Sequence, residues 1–368
     1  MNILFYTPFN QRSRDTESLM QAFVNQKHAV FLLTQAKWGV YHEQCKKLGV
    51  KVYDHYIEKK NPLVYYLKHG LHLFLFCRSN KIDIVYAHLE TAALPAVMVQ
   101  YFIRARVFAC RHMIDEAVLF GNRNFIRIVR IVYKLARQII VVSEHCRNYM
   151  IEQEQVSPVK IQVIRLGYNF DFYNRPRPEE VMNIRAAYPC QMLLITACRL
   201  VAPKRPAYAV HLMKNLRAKS LDVKLLLLGE GIEFTALQEL IRTENLGDSV
   251  FLLGHRPNIT DYISAADALV HPSILDSSSV IIKEAGLQEK LVIACSEIGD
   301  VDEYLVNGEN AVLVSKDHAV EEMTQAISGL YHDRSGFQKC GVALRKEVIN
   351  KFSIDKVLPG YNLIHHSL

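Results

Sequence analysis

The sequence predicts an α/β chain made of two Rossmann-like, doubly wound parallel-sheet domains facing one cleft. Three observations carry that expectation. Thirteen short apolar runs recur along the chain, separated by longer helix-compatible stretches, which is how strands buried on both faces alternate with helices. At 368 residues the chain is too long for one ordinary core and suggests two domains. Tyr168–Pro189 is rich in Asn, Arg, Pro and Glu and poor in apolar residues, so it reads as a linker. The expected boundaries are a first domain at 1–168, a linker at 169–188 and a second domain at 189–350. A final helix at 351–368 is expected to be free to pack back on the first domain.

The first half gives the strand candidates Ile3–Tyr6, Val30–Leu33, Val50–Tyr53, Ile82–Ala87, Val107–Cys110, Ile139–Val142 and Ile161–Ile164. Asp15–Asn25 and Phe125–Ala136 between them have helical composition. The rhythm repeats in the second half with Met192–Ala197, Val223–Leu228, Val250–Leu253, Ala268–Val270, Leu291–Cys295 and Ala311–Val314. In such sheets ligands gather beyond the carboxyl ends of the strands.

Composition narrows the class. Half of the residues are apolar and 22% are charged, a globular balance and not a disordered one. The formal charge of +7 fits an anionic ligand or a membrane surface and is too weak to argue for nucleic acid. The eight cysteines show no Cys-x-x-Cys or metal-finger spacing and read as reduced core residues of a cytoplasmic protein. The start, Met-Asn-Ile-Leu-Phe-Tyr, reads as a buried strand and not as a signal peptide. Leu63–Cys77 is the most apolar window, but it contains Lys68, His69 and His72 and is too short to span a bilayer.

Residues 271–286 concentrate the chemistry. Ala268-Leu269-Val270 feeds a turn at Pro272, and the polar cluster Asp276 to Ser279 opens a helical segment. Ser277 and Ser278 are natural N-caps. A helix start of this kind, with unpaired amides and a favourable dipole, is a ready anion site. Two carboxylates flank it, Asp276 in the loop and Glu284 inside the helix. After the strand at 192–197, Arg199 and Lys204 sit on a strand-to-helix loop ahead of Pro206, which suits a first helical position. Two cations there can clamp a diphosphate and stabilise the charge that develops as it leaves. A solvated basic turn is the competing reading. Gly229-Glu230-Gly231 closes the next strand and lacks the third glycine of a dinucleotide fingerprint. Gly254-His255-Arg256 ends the strand after it.

Taken in order, these pieces resemble the nucleotide-sugar glycosyltransferases of the two-Rossmann-domain GT-B type, family four. The carriers are Arg199 and Lys204, Gly229-Glu230-Gly231, Gly254, Ala265-Ala266-Asp267, His271-Pro272-Ser273, and Asp276 with Glu284-Ala285. Gly299 to Glu303 and Asn307-Gly308-Glu309-Asn310 complete the series. The N-terminal half matches more loosely through Ile82–His88, Val142-Ser143-Glu144 and Ile164–Gly167.

The resemblance implies a retaining transfer of sugar from a nucleoside-diphosphate donor to a glycan or lipid-linked glycan, without cofactor or metal. It implies that Arg199 and Lys204 hold the diphosphate and that Glu284 meets the ribose hydroxyls. Asp276 and the amides of Ser278, Ser279 and Val280 would face the donor sugar and β-phosphate. The base would lie near Gly254, His255 and Arg256, with Gly229 at a close backbone approach. Three features depart from the family pattern. Asp276 stands where glutamate is usual, Ser277 and Ser279 stand where glycines are common, and Phe9–Asp15 replaces a glycine pair after the first strand.

In the first domain His112 follows the strand at 107–110, and the resemblance implies that it contacts the donor sugar; a histidine that merely caps the strand is the alternative. His88 ends the preceding strand with the same ambiguity. Arg123, Arg127, Arg130, Lys134 and Arg137 interleave with apolar residues over 123–137. This is an ordinary helix with a basic face, or a peripheral contact with the inner face of a membrane. Two other readings stand beside sugar transfer. An epimerase or hydrolase of the same fold would need an acid from Asp15, Glu17, Asp115 or Glu116. A non-catalytic protein that kept the nucleotide pocket is the third.

Overall fold

The computed structural model describes residues 1–112, 123–173 and 175–366. The chain divides into two compact units, Met1–Phe172 with Phe352–Leu368, and Tyr173–Lys351.

The first unit is built on a seven-stranded parallel sheet. Its strands are β1 (Asn2–Thr7), β2 (Ala29–Thr34), β3 (Lys51–Asp54), β4 (Ile84–His88), β5 (Arg106–Arg111), β6 (Gln138–Val141) and β7 (Ile161–Val163), in the order 3-2-1-4-5-6-7. The central runs are Val-, Ile- and Leu-rich because both faces are covered. On one face Leu73, Phe76, Ala92, Ala96, Val129, Val132 and Met150 close a core from four helices. The other face is covered by the helix Arg14–Asn25 and by the last helix of the chain, Ile354–His366. Val357, Tyr361 and Ile364 of that last helix pack among Phe5, Phe23, Tyr86 and Phe108. The chain enters it through a break at Ser353, where Tyr168 N–H donates to Phe352 O (2.8 Å) and Ile354 N–H to Tyr168 O (2.9 Å).

The second unit has a six-stranded parallel sheet: β8 (Met192–Ala197), β9 (Val223–Leu228), β10 (Val250–Gly254), β11 (Ala268–His271), β12 (Leu291–Cys295) and β13 (Val312–Val314). Their order is 10-9-8-11-12-13, so the winding reverses between β8 and β11. That reversal is the topological switch point at which doubly wound sheets leave a crevice for ligands. The predicted runs therefore correspond to thirteen strands in two doubly wound parallel sheets.

The span 169–188, expected as linker, is in part folded. Pro178–Ala187 is a helix, started by proline at its first turn. It is tied to the second unit by Arg177, which donates to Asp261 Oδ2 (2.7 Å), and by Arg185, which donates to Asp267 Oδ2 (2.9 Å). Its low apolar content hid it, because only Ile184 is buried and ion pairs supply part of its anchorage.

Candidate functional site

Two loops meet at the switch point of the second unit. The first leaves β8 through Cys198 and Arg199, makes a short 3-10 turn at Ala202–Lys204 and enters the helix Pro206–Ala218. Arg205 takes a left-handed conformation (φ 47°) to turn the chain into that helix. The second loop leaves β11 at His271 and ends where the helix Val280–Leu287 begins. They are stitched together by Ile274 N–H to Pro203 O (3.0 Å) and by Ser273 Oγ to Pro203 O (3.3 Å).

The central contact is between the predicted cation and the predicted acid. Lys204 Nζ donates to Asp276 Oδ2 at 2.6 Å and to Leu275 O at 2.8 Å. His271 Nε2 lies 3.5 Å from the same carboxylate oxygen. Burial alone would raise the Asp276 carboxyl, but the hydrogen bond from His271 and the charge of Lys204 outweigh it and hold the group well below the usual carboxylate range. Asp276 is therefore an ionised acceptor with its charge already met. The Arg199 side chain is exposed and makes no hydrogen bond or ion pair among the described residues, so the two expected clamp cations are in different states. One is engaged and one is open.

Behind the loop lies a pair that the sequence reading missed. Lys283 Nζ donates to Asp300 Oδ2 (2.9 Å), to Ser278 Oγ (2.9 Å) and to Ser279 O (3.2 Å). Ser278 Oγ in turn donates to Asp300 Oδ2 at 2.5 Å. Gly299 (φ +56°) presses against the same segment, since a Cβ there would stand 2.4 Å from Asp276 O. The sequence held a signal for it. Lys283 interrupts the apolar run Val280-Ile281-Ile282 on a short helix, and a lysine there needs a buried partner.

This pair also corrects the expected cap. Ser279, not Ser277 or Ser278, is the N-cap of Val280–Leu287, and no side chain caps that helix start. Ser278 has spent its hydroxyl on Asp300, and Ser279 Oγ lies 3.4 Å from His271 Nε2. The helix thus starts without the side-chain acceptor expected of it, and its positive end follows the loop that carries Asp276, the partner of Lys204. Glu284 lies in the second turn of this helix and is buried.

The glycines at the strand ends serve close backbone approach. Gly229 (φ +133°) lies so near the β8 exit that a Cβ would stand 1.8 Å from Cys198 O. Gly229 N–H donates to Gly254 O at 2.9 Å. Gly254 (φ +71°) turns the chain after β10 in open space, and His255 and Arg256 beyond it are exposed.

The histidines of the first unit form their own ladder. His88 Nδ1 and His112 Nε2 are 2.7 Å apart, and the rings stack at 5.0 Å, with Phe5 against the other face of His88 at 5.6 Å. Burial, then the neighbouring His112, pushes His88 well below its usual pKa; burial also lowers His112, against the pull of Asp15 and Glu90. One imidazole therefore donates to the other with both rings neutral. Of the acids that a hydrolytic reading needs, Glu17 is fully buried and clamped by Arg12 at 3.0 and 2.7 Å. Asp15 accepts from Ser13 Oγ at 2.5 Å. Asp115 and Glu116 lie outside the described residues.

Two doubly wound parallel sheets, with Lys204 and Asp276 meeting at the switch point of the second, fit the GT-B class of glycosyltransferase. The comparison with known proteins agrees. The model described as "Glycosyl transferases group 1" matches residues 179–348, and "Glycosyltransferase Family 4" matches residues 13–172. The chain belongs to the family 4 glycosyltransferases of the GT-B fold. It is similar to N-acetyl-alpha-D-glucosaminyl L-malate synthase of Bacillus anthracis, 22% identical over 78% of this chain and 76% of that one. It is also similar to the GPI3 subunit of phosphatidylinositol N-acetylglucosaminyltransferase from Saccharomyces cerevisiae, 24% identical over 84% of this chain and 69% of that one. Among solved structures, Anabaena HepE in complex with UDP superposes with a TM-score of 0.83 at 17% identity, covering all of both chains.

Proposed function

We propose that this protein moves a sugar from a nucleoside diphosphate to a glycan or lipid-linked glycan with retention of anomeric configuration. One observation carries the reading: Lys204 and Asp276 converge at the switch point beside a helix start that no side chain caps. A diphosphate is the ligand that such a place suits, because cations and backbone amides can share its charge. In this scheme Lys204 exchanges its bond to Asp276 for one to the leaving phosphate, and Arg199 closes from solvent as the second cation. Glu284, on the same helix, accepts from the ribose hydroxyls, and Asp276, Ser278, Ser279 and Val280 face the sugar and β-phosphate. Gly229, Gly254, His255 and Arg256 line the base. His112, which the family resemblance implies as a donor-sugar residue, shares a hydrogen bond with His88 that fixes its tautomer.

The neighbours lend support to the donor class. Anabaena HepE has been crystallised with UDP and with UDP-glucose, and the Staphylococcus aureus protein TarM with UDP. A lipid-linked acceptor is supported by the Campylobacter jejuni relative, a transferase named for a diphospho-undecaprenol acceptor, which is 21% identical over 76% of this chain. The reading is tested by alanine at Lys204 or at Glu284, each expected to remove most turnover while leaving thermal unfolding unchanged. Near-normal turnover in both variants overturns it. A thermal-shift panel of UDP-, GDP- and ADP-sugars identifies the base, because only the ligand that binds the folded chain raises its midpoint.

A further inference from the structure

We propose that the outer face of the helix Pro62–Ser79 docks this protein on the surface of an anionic phospholipid bilayer. The helix is apolar on both sides. Its inner side sends Tyr65, His69, Leu73, Phe76 and Cys77 into the first unit. Its outer side leaves Leu63, Leu67, Leu71 and Leu75 exposed by 68%, 50%, 60% and 52%. A spacing of four residues places these leucines in one row along the helix. Single exposed leucines are ordinary, but a continuous row marks a surface that something covers.

The charges around the row say what covers it. Lys59 and Lys60 precede the helix, Lys60 paired with Glu58 at 3.1 Å, Lys68 lies on its exposed side, and Arg78 and Lys81 end it, with no acid anywhere between 59 and 82. Beside its last turn a hollow of about 610 Å³ is lined by Arg78, Lys81, Arg104 and Phe102, the last 75% exposed. Asp83 is the acid in that lining, and its carboxylate accepts from Asn2 N–H at 2.7 Å. The helix Arg123–Leu135 shares the same core and adds exposed Arg127, Arg130 and Lys134. Residues 59–143 hold thirteen Lys and Arg against four Asp and Glu, a surplus of nine that exceeds the whole chain's +7, although one of the thirteen, Arg111, is buried against Glu154. The rest of the protein is thus slightly acidic, and the basic charge is concentrated in one segment.

Cations set around an apolar row match anionic headgroups above an acyl boundary. A helix of 18 residues lying flat offers roughly 27 Å of such contact. No helix among the described residues is long and apolar enough to cross a membrane, so the contact is interfacial. A second copy of the chain fits less well, because a two-fold interface would set the same cations against themselves. The inference stands on the first unit alone and does not depend on the donor chemistry proposed for the second.

The experiment is co-sedimentation of the full chain with vesicles of phosphatidylglycerol and phosphatidylcholine, and with phosphatidylcholine alone. The wild-type chain is expected to partition onto the anionic vesicles and to be released in part by salt. The double variant Leu67→Ser/Leu71→Ser should lose roughly ten-fold or more of that partition. Its thermal unfolding should be unchanged, because both side chains face solvent. The variant Lys68→Glu/Arg78→Glu should lose the preference for anionic lipid. Equal partition of wild type and Leu67→Ser/Leu71→Ser overturns the proposal. So does a dimer that the leucine variant dissolves while vesicles bind neither form. A thermal shift with UDP reads the other unit, so failure there is distinguishable from failure here.

Discussion

Lys283 Nζ and Asp300 Oδ2 are 2.9 Å apart, and their side chains are only 1% and 0% exposed. The pair lies directly behind the Ser278–Ser279 segment and holds it through Ser278 Oγ and Ser279 O. Burial raises the Asp300 carboxyl, against the pull of Lys283 and the hydrogen bond from Ser278, and its Oδ1 makes no hydrogen bond. The arrangement thus relies on Lys283. Replacing Lys283 by Met strands a buried carboxylate and should cost roughly 3–5 kcal/mol. The double variant Lys283→Met/Asp300→Leu should recover much of that loss in urea unfolding. Its affinity for the nucleotide sugar should stay low, because the segment would no longer be held. A double variant as unstable as Lys283→Met alone would contradict this reading.

Asp276 and Lys204 offer a separate test, because in the proposed scheme the carboxylate competes with diphosphate for the same ammonium. Asp276→Asn removes that competitor and the contact to the sugar together. Calorimetry should find UDP bound as tightly as by wild type or more tightly, while turnover falls by roughly 100-fold or more. Weaker UDP binding with intact turnover would place Asp276 outside the reaction.

Much of this architecture was legible because it depends on local apolar runs. Val-, Ile- and Leu-rich segments such as Leu193–Ile195 and Leu225–Leu228 are buried on both faces, and they read as strands without reference to the rest of the chain. Lys204 and Asp276 were legible as candidates through motif order, but their direct contact depends on a strand order, 8 beside 11, that no local pattern encodes. The Lys283–Asp300 pair and the helix Pro178–Ala187 were overlooked for a common reason. Both are fixed by ion pairs between residues far apart in sequence. The serine cap was misassigned because Ser278 had a stronger, distant acceptor in Asp300.

Gly229 and Gly254 separate clash from strain. Both have positive φ, +133° and +71°, but a Cβ at Gly229 meets Cys198 O at 1.8 Å while one at Gly254 meets nothing within 4 Å. Gly229→Ala should cost roughly 3 kcal/mol or more, since backbone must move. Gly254→Ala should cost about 1–2 kcal/mol, the penalty of a left-handed residue alone. Denaturant midpoints of the two variants check the ranking, and equal losses would mean that the approach of β9 to the β8 exit is looser than described.

His69 predicts how the first unit responds to acid. It is 1% exposed, neither ring nitrogen makes a hydrogen bond, and His55 and Tyr65 pack edge-on against it at 5.3 and 4.4 Å. Burial, then the charges of His55 and His72, lowers its pKa to about 4. The unfolded chain keeps the ordinary value near 6.5, so between about 6.5 and 4 it binds more protons than the folded chain. Stability contributed by the neutral ring is therefore full above pH 6.5 and is lost as pH falls, by at most ~1.4 kcal/mol per pH unit. His69→Phe keeps the ring and discards two unpaired nitrogens, so stability at pH 7 should be equal or higher. The dependence between pH 7 and 5 should flatten by one histidine's share, with His88 still contributing its own. Urea unfolding at pH 7, 6 and 5 measures both effects, and a variant with the wild-type slope would show that His69 is protonated in the folded chain.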